Sequence, residues 1–426
     1  MIYFWIVVYN VFIVPLAVIG FYLMGIFNMK IREGIKGRLR SKKELLNFVR
    51  SRRNRRELFI VHSASLGEFE QAKPVIRGLK ALRPDILIVA SFTSPSGYKN
   101  AERMEEVDLY TYLPLDVFFW VKVFLQKLKP GKIVFVSYEL WPNLLFLARR
   151  YRISTYIISA RLRNADFKSR PIVRSIVRGL YELVDNIYTV SETDEHAFKK
   201  RLGINKVEVL TLGDTRYDQV LQRAKEHIKF RVKRVFDEGF AFIAGSVWPQ
   251  DVRHLLPALK RAMERFEDLK IIIAPHEPTQ YAIEALRDYF EQYGYQVDLY
   301  SKLSEVSSRR VVVVDVVGIL AELYHQSRIA FVGGSFRGSV HNVMEPAVAG
   351  NPVIVGPYYK NSREAELLIE EGGAFPCRDR EEIFEILVHL KEDEKFYREA
   401  SEASRRVIVR NLGASARTVK EILGLS

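Results

Sequence analysis

Short apolar runs rich in β-branched residues alternate with stretches of helical periodicity along most of the chain. Such runs are typical of parallel strands buried on both faces, and their alternation with helices indicates βαβ units. We predict a first series of strands at residues 58–62, 86–92, 132–136, 155–159, 186–190 and 207–212, and a second series at 240–244, 269–274, 311–315, 328–333 and 352–356. The pattern therefore predicts an α/β fold with two Rossmann-like, doubly wound domains facing a cleft.

The N-terminal segment departs from this pattern. Residues 1–29 carry no charged side chain, and the stretch from Tyr3 to Phe27 is apolar or aromatic apart from Asn10. A bilayer core needs about 20 apolar residues in a helix, whereas a signal peptide has a basic residue before an apolar core of about 7–15 residues. Because the segment has no polar face, we expect a transmembrane anchor at 1–29 rather than an interfacial helix.

Most of the excess positive charge follows the apolar segment directly. Residues 30–56 hold twelve Lys or Arg against Glu33 and Glu44, a net charge of +10 out of +14 for the chain. The positive-inside rule places this basic juxtamembrane segment in the cytoplasm, with Met1 on the far side. The charge also suits an anionic leaflet and argues against nucleic acid as a partner. Two interpretations stay open: a topology signal alone, or a device that holds the catalytic domain near a lipid substrate.

Composition limits the remaining possibilities. The chain has 426 residues, of which 48% are hydrophobic and 27% charged, so it is not a disordered chain. The single cysteine, Cys377, excludes a disulfide framework and cysteine-based metal sites.

We divide the chain after the basic segment into a first domain at 57–214, a charged linker at 215–239 and a second domain at 240–426. The last helix of the second domain is expected to pack back on the first domain. In doubly wound domains ligands bind beyond the carboxyl ends of the strands, so the loops there carry the chemistry.

The first such loop runs from His62 to Glu68 and allows two interpretations. Ser65 and Glu68 have the spacing of a capping box, in which each side chain bonds the backbone N–H of the other residue. Alternatively, Glu68 stands on a turn containing Gly67, where a substrate hydroxyl can approach, and acts as a general base. The helix N-terminus favours the ionised carboxylate and would make it a weaker base.

The loops of the second half suggest a nucleotide pocket. Gly333-Gly334-Ser335 is followed by His341-Asn342-Val343-Met344-Glu345-Pro346, which would bring a flexible backbone, helix N–H groups and a carboxylate to phosphate and ribose. An ordinary turn and helix cap is the alternative. Three further strand ends, each by itself more often structural than functional, complete the pocket: Gly245-Ser246, His276-Glu277 and Gly318-Ile319-Leu320.

Several common motifs are missing. The sequence has no Gly-x-x-x-x-Gly-Lys-Ser/Thr loop, no Gly-x-Gly-x-x-Gly fingerprint and no His-Glu-x-x-His helix. It also lacks an Asp-x-Asp pair of the kind that holds a divalent ion under a nucleotide diphosphate. We therefore expect neither a metal nor a cofactor, and phosphate charge would be met by helix ends and basic side chains.

The order of these motifs resembles the transferases of 3-deoxy-D-manno-oct-2-ulosonic acid (Kdo), which move Kdo from CMP-Kdo onto a lipid A precursor at the cytoplasmic face of the inner membrane. The resemblance runs from the N-terminal segment to Phe375. It rests on residues 63–68 (SASLGE), 94–97 (SPSG), 139–143 (ELWPN), 159–162 (SARL), 213–216 (GDTR), 244–246 (AGS), 318–320 (GIL) and 341–346 (HNVMEP).

The resemblance implies a GT-B fold with an acceptor domain followed by a CMP-sugar donor domain. It implies that Glu68 is the catalytic base. The donor contacts that we assign from it and from the loops above are His276, Glu277, Gly318, Ile319, Leu320, Asn342, Val343, Met344, Glu345, Gly245, Ser246, Gly334 and Ser335. The candidate acceptor or phosphate contacts are Ser65, Gly67, Ser96, Glu139, Arg161 and Arg216.

The chain departs from the common family pattern at three places. An acidic residue of the family is replaced by Ser137, the family's Gly-Asn-Leu-Lys reads Gly213-Asp214-Thr215-Arg216, and its Pro-Arg-His reads Pro275-His276-Glu277. These positions bear on donor contact and on the number of sugars added.

We therefore expect an inverting, metal-independent Kdo transferase of lipopolysaccharide biosynthesis in the inner membrane, with a single-pass anchor and cytoplasmic catalytic domains. Three other functions stay open: a GT-B glycosyltransferase with another nucleotide-sugar and lipid acceptor, a nucleotide-sugar epimerase, and a membrane-tethered scaffold with a decayed nucleotide site. An epimerase would act on a soluble substrate, against which the N-terminal 56 residues argue.

Overall fold

A computed structural model of the chain describes residues 2–51, 56–162, 171–227, 232–237 and 239–425. Parts of the predicted basic segment and of the predicted linker therefore lie outside the described residues. The described chain forms two compact units. Unit 1 comprises residues 1–219 with 412–426, and unit 2 comprises residues 220–411.

Each unit contains a seven-stranded parallel sheet. The strands of unit 1 are β1 (Leu58–Ser63), β2 (Leu87–Phe92), β3 (Leu109–Tyr112), β4 (Lys132–Val136), β5 (Ser154–Ala160), β6 (Asn186–Thr189) and β7 (Glu208–Thr211). Those of unit 2 are β8 (Phe240–Val247), β9 (Leu269–Pro275), β10 (Val297–Leu299), β11 (Val311–Val313), β12 (Ile329–Val332), β13 (Val353–Val355) and β14 (Ala374–Pro376).

The strand orders, β3-β2-β1-β4-β5-β6-β7 and β10-β11-β9-β8-β12-β13-β14, are those of doubly wound sheets. The predicted fold class is thus confirmed. The predicted strands all appear, but β3, β10 and β14 were not predicted. In both sheets the order reverses beside the first strand, between β1 and β4 and between β8 and β12, and such reversals are where ligands bind.

The helices cover the sheets and extend the N-terminus. They are α1 (Ile2–Val8), α2 (Val14–Phe27), α3 (Met29–Ser51), α4 (Leu66–Leu82), α5 (Pro95–Asn100), α6 (Phe118–Leu128), α7 (Pro142–Arg150), α8 (Pro171–Tyr181), α9 (Glu192–His196), α10 (Arg216–His227), α11 (Pro249–Arg265), α12 (Gln280–Glu291), α13 (Leu320–Leu323), α14 (Met344–Ala349), α15 (Arg363–Glu370), α16 (Arg380–Glu392), α17 (Glu394–Arg410) and α18 (Ala414–Leu423). A π-helical turn at Tyr9–Ile13 joins α1 to α2, so the apolar helix runs without a break from Ile2 to Phe27.

Apolar side chains between sheet and helices form the core of each unit. In unit 1, Phe59 and Val61 of β1 pack with Phe69 and Val75 of α4, and all four are at most 1% exposed. The C-terminal helix α18 joins this layer through its buried apolar residues. The chain passes from unit 1 to unit 2 within α10 and returns between α17 and α18.

Candidate active site

Polar side chains gather at the reversal point of the unit 1 sheet. The loop after β1 carries Ser65 and leads into α4, whose first turn carries Glu68, and the loop after β4 carries Ser137 and Glu139. Since β1 and β4 are hydrogen-bonded neighbours, their carboxyl ends bring these two loops together. The position is the one at which a doubly wound sheet places its ligand.

The Glu68 carboxylate is held by its own turn. Its Oε2 accepts hydrogen bonds from the backbone N–H groups of Ala64 and, at 3.3 Å, of Ser65, while the Ser65 hydroxyl accepts from the Glu68 N–H at 3.4 Å. The capping box is therefore formed. Among the described contacts both bonds to the carboxylate end on Oε2, so the cap leaves Oε1 for a further partner, and capping does not exclude a chemical role.

Burial sets the proton affinity of Glu68. The residue is 8% exposed, and burial, followed by the nearby Glu139 carboxylate, raises the pKa of Glu68 above its ordinary value. The N–H groups of Ala64 and Ser65 lower the pKa, but they do not outweigh these causes. The expectation of a weaker base at the helix N-terminus is thus wrong, because burial and a like charge dominate over the helix end.

Glu139 is anchored beside a buried histidine that the sequence did not single out. Trp141 donates its indole N–H to Glu139 Oε2 at 2.9 Å, and His62 Nε2 lies 3.8 Å from the same oxygen. The His62 ring is fully buried and packs edge-on against Trp141, with its Nδ1 2.9 Å from the Ser91 hydroxyl. The indole N–H of Trp141 thus orients the Glu139 carboxylate, whose negative charge raises the pKa of Glu68.

The predicted Ser96 lies in the first turn of α5, which follows β2 at the same edge of the sheet. Ser94 donates its backbone N–H to the Ala64 carbonyl at 3.0 Å, which ties the loop after β2 to the loop after β1. The Ser96 hydroxyl lies 3.4 Å from that of Ser94. Gly97 stands so close that an added Cβ would lie 3.3 Å from the Ser65 carbonyl carbon, so this glycine permits the approach of the two loops.

The predicted contacts Arg161 and Arg216 converge on one buried aspartate. Asp214 is 3% exposed, and its Oδ2 accepts from Arg161 Nη2 at 2.7 Å and from Arg216 Nη2 at 2.6 Å. About three-tenths of each arginine side chain remains exposed. Asp214, one of the departures from the family pattern, thus orients two guanidinium groups.

In unit 2 the glycines at the reversal point allow three segments to meet. An added Cβ on Gly245 would lie 2.0 Å from the Tyr324 hydroxyl, and one on Gly333 would lie 2.2 Å from the Ser246 carbonyl oxygen. Ser246 itself has a positive φ of 55°, in the left-handed region. Gly245 and Ser246 thus shape the strand end through their backbone.

Asp251 ties the two loops of this edge together, and sequence reasoning did not assign it a role. It is fully buried, and its carboxylate accepts from the backbone N–H groups of Trp248 at 2.8 Å, Gly334 at 2.7 Å and Phe336 at 3.0 Å. The predicted Ser335 is also fully buried, and its hydroxyl bonds the Val332 carbonyl and the Gly356 N–H. Ser335 therefore holds the loop in place.

Aromatic and basic side chains form an open platform beside these loops. The rings of Trp248 and His276 stack at 4.4 Å, those of His276 and His341 stack at 4.5 Å, and the Arg337 guanidinium lies 3.7 Å from the centre of a Trp248 ring. Trp248 donates its indole N–H to His341 Nε2 at 2.8 Å. Burial, together with the nearby His276 and Arg337, lowers the pKa of His341. A lower pKa favours the neutral imidazole, which is the form that can accept the Trp248 bond. We call these four residues the ring platform.

The predicted carboxylate Glu345 lies on the short helix α14. Arg223 of α10 reaches both Glu345, at 3.6 Å, and Glu322, at 3.8 Å. The Asn342 side chain accepts the backbone N–H of Met344 at 3.1 Å. This N–H is one of the helix N–H groups predicted to bind phosphate, and it is already bonded within the protein. Val343 and Met344 are buried and support the turn.

Of the remaining predicted donor contacts, Gly318 is exposed, whereas Ile319 and Leu320 are half-buried. Gly318, with a φ of 90°, and its neighbours Ile319 and Leu320 lead into α13, and Leu320 Cδ2 lies 3.1 Å from the position of a Gly245 Cβ. Glu277 is exposed beside His276. The described residues contain no group of three or more His, Cys, Asp and Glu side chains that could hold a metal ion.

The sequence of this chain is similar to one family of known proteins. Residues 37–219 match the family described as 3-deoxy-D-manno-octulosonic-acid transferase (kdotransferase). A 3-deoxy-D-manno-octulosonic acid transferase of Aquifex aeolicus is 30% identical over 78% of this chain and 85% of its own length. One of Chlamydophila psittaci is 27% identical over 77% of this chain and 76% of its own length.

Solved structures show the fold alone. A UDP-GlcNAc 2-epimerase of Neisseria meningitidis has a TM-score of 0.59 and 13% identity, over 86% of this chain and all of its own. A glycosyltransferase of Rickettsia africae has a TM-score of 0.55 and 13% identity, over 88% of this chain and all of its own.

The fold and the relatives define a glycosyltransferase of the GT-B class. Within that class, the chain belongs to the Kdo transferase family, as its resemblance to that family predicted.

Proposed function

We propose that the protein transfers Kdo from CMP-Kdo to a hydroxyl of a lipid A precursor, in a single displacement that inverts the anomeric carbon. The observation that carries the proposal is the buried Glu68 carboxylate at the reversal point of unit 1, with a raised pKa and with Oε1 left over from its cap. A general base needs that combination of access and proton affinity.

The proposed reaction moves one proton and exchanges one bond. Glu68 takes the proton of the acceptor hydroxyl, and the acceptor oxygen forms a bond to the anomeric carbon of Kdo. The bond from that carbon to the phosphate oxygen breaks, and CMP leaves with the electron pair. A ketose anomeric centre bonded to phosphate departs through an oxocarbenium-like state, so positioning and charge neutralisation supply the catalysis, and we propose that no metal takes part.

We assign the donor to unit 2. The ring platform offers flat faces for a base and, in Arg337, a cation for a phosphate or for the Kdo carboxylate. Glu345, held by Arg223, has the carboxylate that a ribose diol can bond. These groups are chemically suited to a nucleoside monophosphate, and they support the assignment of the predicted residues His276, Asn342 and Glu345.

We also propose that the protein attaches to the anionic cytoplasmic leaflet of the inner membrane. The helix Ile2–Phe27 is long and apolar enough to enter a bilayer, and the basic residues of α3 follow it directly. Attachment would bring unit 1 to a lipid acceptor.

The experiment that tests this function is a transfer assay with the full chain in detergent. CMP-Kdo is generated in situ, a lipid A precursor is the acceptor, and the anomeric configuration of the product is read by NMR, with and without a metal chelator. We expect an inverted Kdo linkage at an unchanged rate in chelator. Protein that binds CMP more weakly than UDP, and transfers no Kdo, would instead indicate another GT-B glycosyltransferase.

A further inference from the structure

The apolar N-terminal helix is bonded to unit 1 near its middle. Asn10, its one amide side chain, donates to Asn143 Oδ1 at 2.7 Å and accepts from Asn143 Nδ2 at 2.9 Å. The neighbouring Tyr9 hydroxyl bonds the Asp116 carboxylate. Both partners belong to the α/β unit and are buried, and Asp116 also accepts the backbone N–H groups of Asn143 and Leu144 at the start of α7.

The first turn of the helix also rests on unit 1. The Tyr3 ring packs edge-on against Phe146 of α7 at 5.9 Å. Ile2 packs against α8, where a Cβ added to Gly179 would lie 3.0 Å from the Ile2 side chain. The end of the chain that a spanning helix would carry across the bilayer therefore lies on the catalytic unit.

The last turns are folded back on the basic helix α3. The chain turns at Asn28, whose side chain accepts the N–H groups of Lys30 and Ile31. The Arg38 guanidinium then lies 5.4 Å from the Phe21 ring, and a Cβ on Gly25 would lie 2.6 Å from Ile35. Helix α2 thus runs antiparallel to a helix rich in Lys and Arg, which belongs at the depth of lipid headgroups.

Helix α3 is itself fixed to unit 1. Arg38 Nη2 donates to the Thr93 carbonyl at 3.0 Å, and the Tyr98 hydroxyl donates to Glu44 at 2.9 Å. Gly37 permits close packing, because an added Cβ would lie 2.5 Å from the Tyr112 ring. Through α3, the C-terminal end of the apolar helix is also tied to the unit that its N-terminal end contacts.

Most of the helix surface that does not contact unit 1 or α3 is apolar and exposed. Its exposed side chains are Tyr3, Phe4, Val7, Val11, Phe12, Ile13, Leu16, Ile19, Tyr22, Leu23, Met24, Ile26 and Phe27. Next to its first turn, Phe118 of α6 contacts Phe146 at 6.3 Å, and Phe118, Phe119 and Trp120 are also exposed. The polar side chains Tyr9 and Asn10 face the unit, and apolar side chains face outward.

From these contacts we propose that the N-terminal helix lies in the plane of the membrane, with both ends on the catalytic side, and inserts its outward face into a single anionic leaflet. A helix that crossed the bilayer would carry Ile2 and Tyr3 away from α7 and α8 and would leave Asn10 in hydrocarbon. In-plane helices need an apolar and a polar side. Here the unit supplies the polar partners. The proposal replaces the predicted single-pass anchor.

The test asks on which side of the membrane the N-terminus lies. A short polar extension with one cysteine is placed before Met1 of the full chain, and a second variant carries Lys43→Cys on the exposed side of α3. Both are labelled with a membrane-impermeant maleimide in spheroplasts and in inverted inner-membrane vesicles. The unmodified chain is the blank, because Cys377 is buried.

We expect both cysteines to label in inverted vesicles and neither in spheroplasts. Labelling of the extension in spheroplasts, or only after detergent, would overturn the proposal. The inference rests on the membrane attachment proposed above, and flotation of the purified chain with vesicles containing phosphatidylglycerol checks that premise separately. A chain that fails to float contradicts the attachment itself, and Kdo transfer plays no part in either readout.

Discussion

Glu68 forms the capping box and is also the residue that we propose as the general base, two interpretations that the sequence presents as alternatives. Its Oε2 completes a capping box with Ser65, while burial and Glu139 keep its proton affinity above the ordinary range. A carboxylate that must accept a proton in water would be a weak base at its usual pKa, so the raised pKa improves the match to its task. The capping bonds fix the position of the Glu68 carboxylate, and burial raises its pKa.

The charge of Glu139 can be tested through the pH dependence of transfer. Only ionised Glu68 can act as the base, so kcat/KM falls as the pH drops through the pKa of Glu68. Because Glu139 raises that pKa, Glu139→Gln should move the acid limb to lower pH, while Gln can still accept the Trp141 bond. Glu105→Gln, at an exposed carboxylate that does not act on Glu68, should leave the limb in place. If the acid limb of kcat/KM does not move in Glu139→Gln, the Glu139 charge is not a cause of the raised pKa of Glu68.

The loops at the strand ends are shaped by backbone contacts that only the fold reveals. Gly245 lies under the Tyr324 hydroxyl, and Asp251 gathers N–H groups from two loops. The position of the loops at the ends of parallel strands was predictable, because a strand end and a glycine are visible in the sequence, whereas the contacts of Asp251 were not. The ring platform was not, since Trp248 and Arg337 meet only when the loops after β8 and β12 come together.

Prediction of the strands from the sequence was limited by how much of each strand is buried. Central strands such as β1, β4 and β8 are buried on both faces and read as continuous apolar runs. The three strands that the sequence did not predict, β3, β10 and β14, are short strands at the edges of their sheets. An edge strand buries less of its surface, so three or four residues such as Val297–Leu299 carry no distinctive pattern.

Removing the Asp251 carboxylate should loosen the ring platform. Asp251→Ala leaves three backbone N–H groups without their acceptor, and each buried donor without a partner costs about 1–3 kcal/mol. We expect a lower free energy of unfolding in denaturant and weaker CMP binding by calorimetry. Asp288→Ala, at an exposed aspartate of α12, should change neither quantity. If Asp251→Ala is destabilised but binds CMP with unaltered affinity, the loops that Asp251 anchors are not part of the donor site.

Gly245 should tolerate no side chain while Tyr324 keeps its hydroxyl. An added Cβ would lie 2.0 Å from that oxygen and 2.9 Å from the ring carbon that bears it. Gly245→Ala should therefore lower the melting temperature, and combining it with Tyr324→Phe should recover part of the loss. Additive effects of the two substitutions in thermal unfolding would contradict this account of the contact.

At the scale of the whole molecule, the helix that we propose to enter the membrane is also docked on unit 1. Asn10 and Asn143 bond each other reciprocally, and Asn143 begins the helix α7 that follows Glu139 and Trp141. The proposed membrane helix and the loop beside Glu68 are thus connected through the start of α7. The sequence predicted the apolar segment, but its docking depends on Asn143 and Asp116, which lie more than a hundred residues away.

Breaking this junction should destabilise the detergent-solubilised chain. Asn10→Leu removes both bonds to Asn143, whose buried carbonyl then lacks a partner, at a cost of about 1–3 kcal/mol. The expected readout is a lower melting temperature of unit 1 and greater protease sensitivity of α7. Leu16→Ala, on the exposed side of the same helix, should change the melting temperature little. Equal melting temperatures for Asn10→Leu and the unmodified chain would contradict the docked arrangement.

The most direct test of the central claim compares Kdo transfer by the full chain and by Glu68→Gln, with CMP binding measured on the same preparations. We predict that the unmodified protein transfers Kdo from CMP-Kdo to the lipid A precursor. Glu68→Gln should lose about 10²- to 10⁴-fold in rate, the usual contribution of a general base, with its affinity for CMP unchanged. Full activity of Glu68→Gln, or a folded, CMP-binding wild type that transfers no Kdo, would contradict the account.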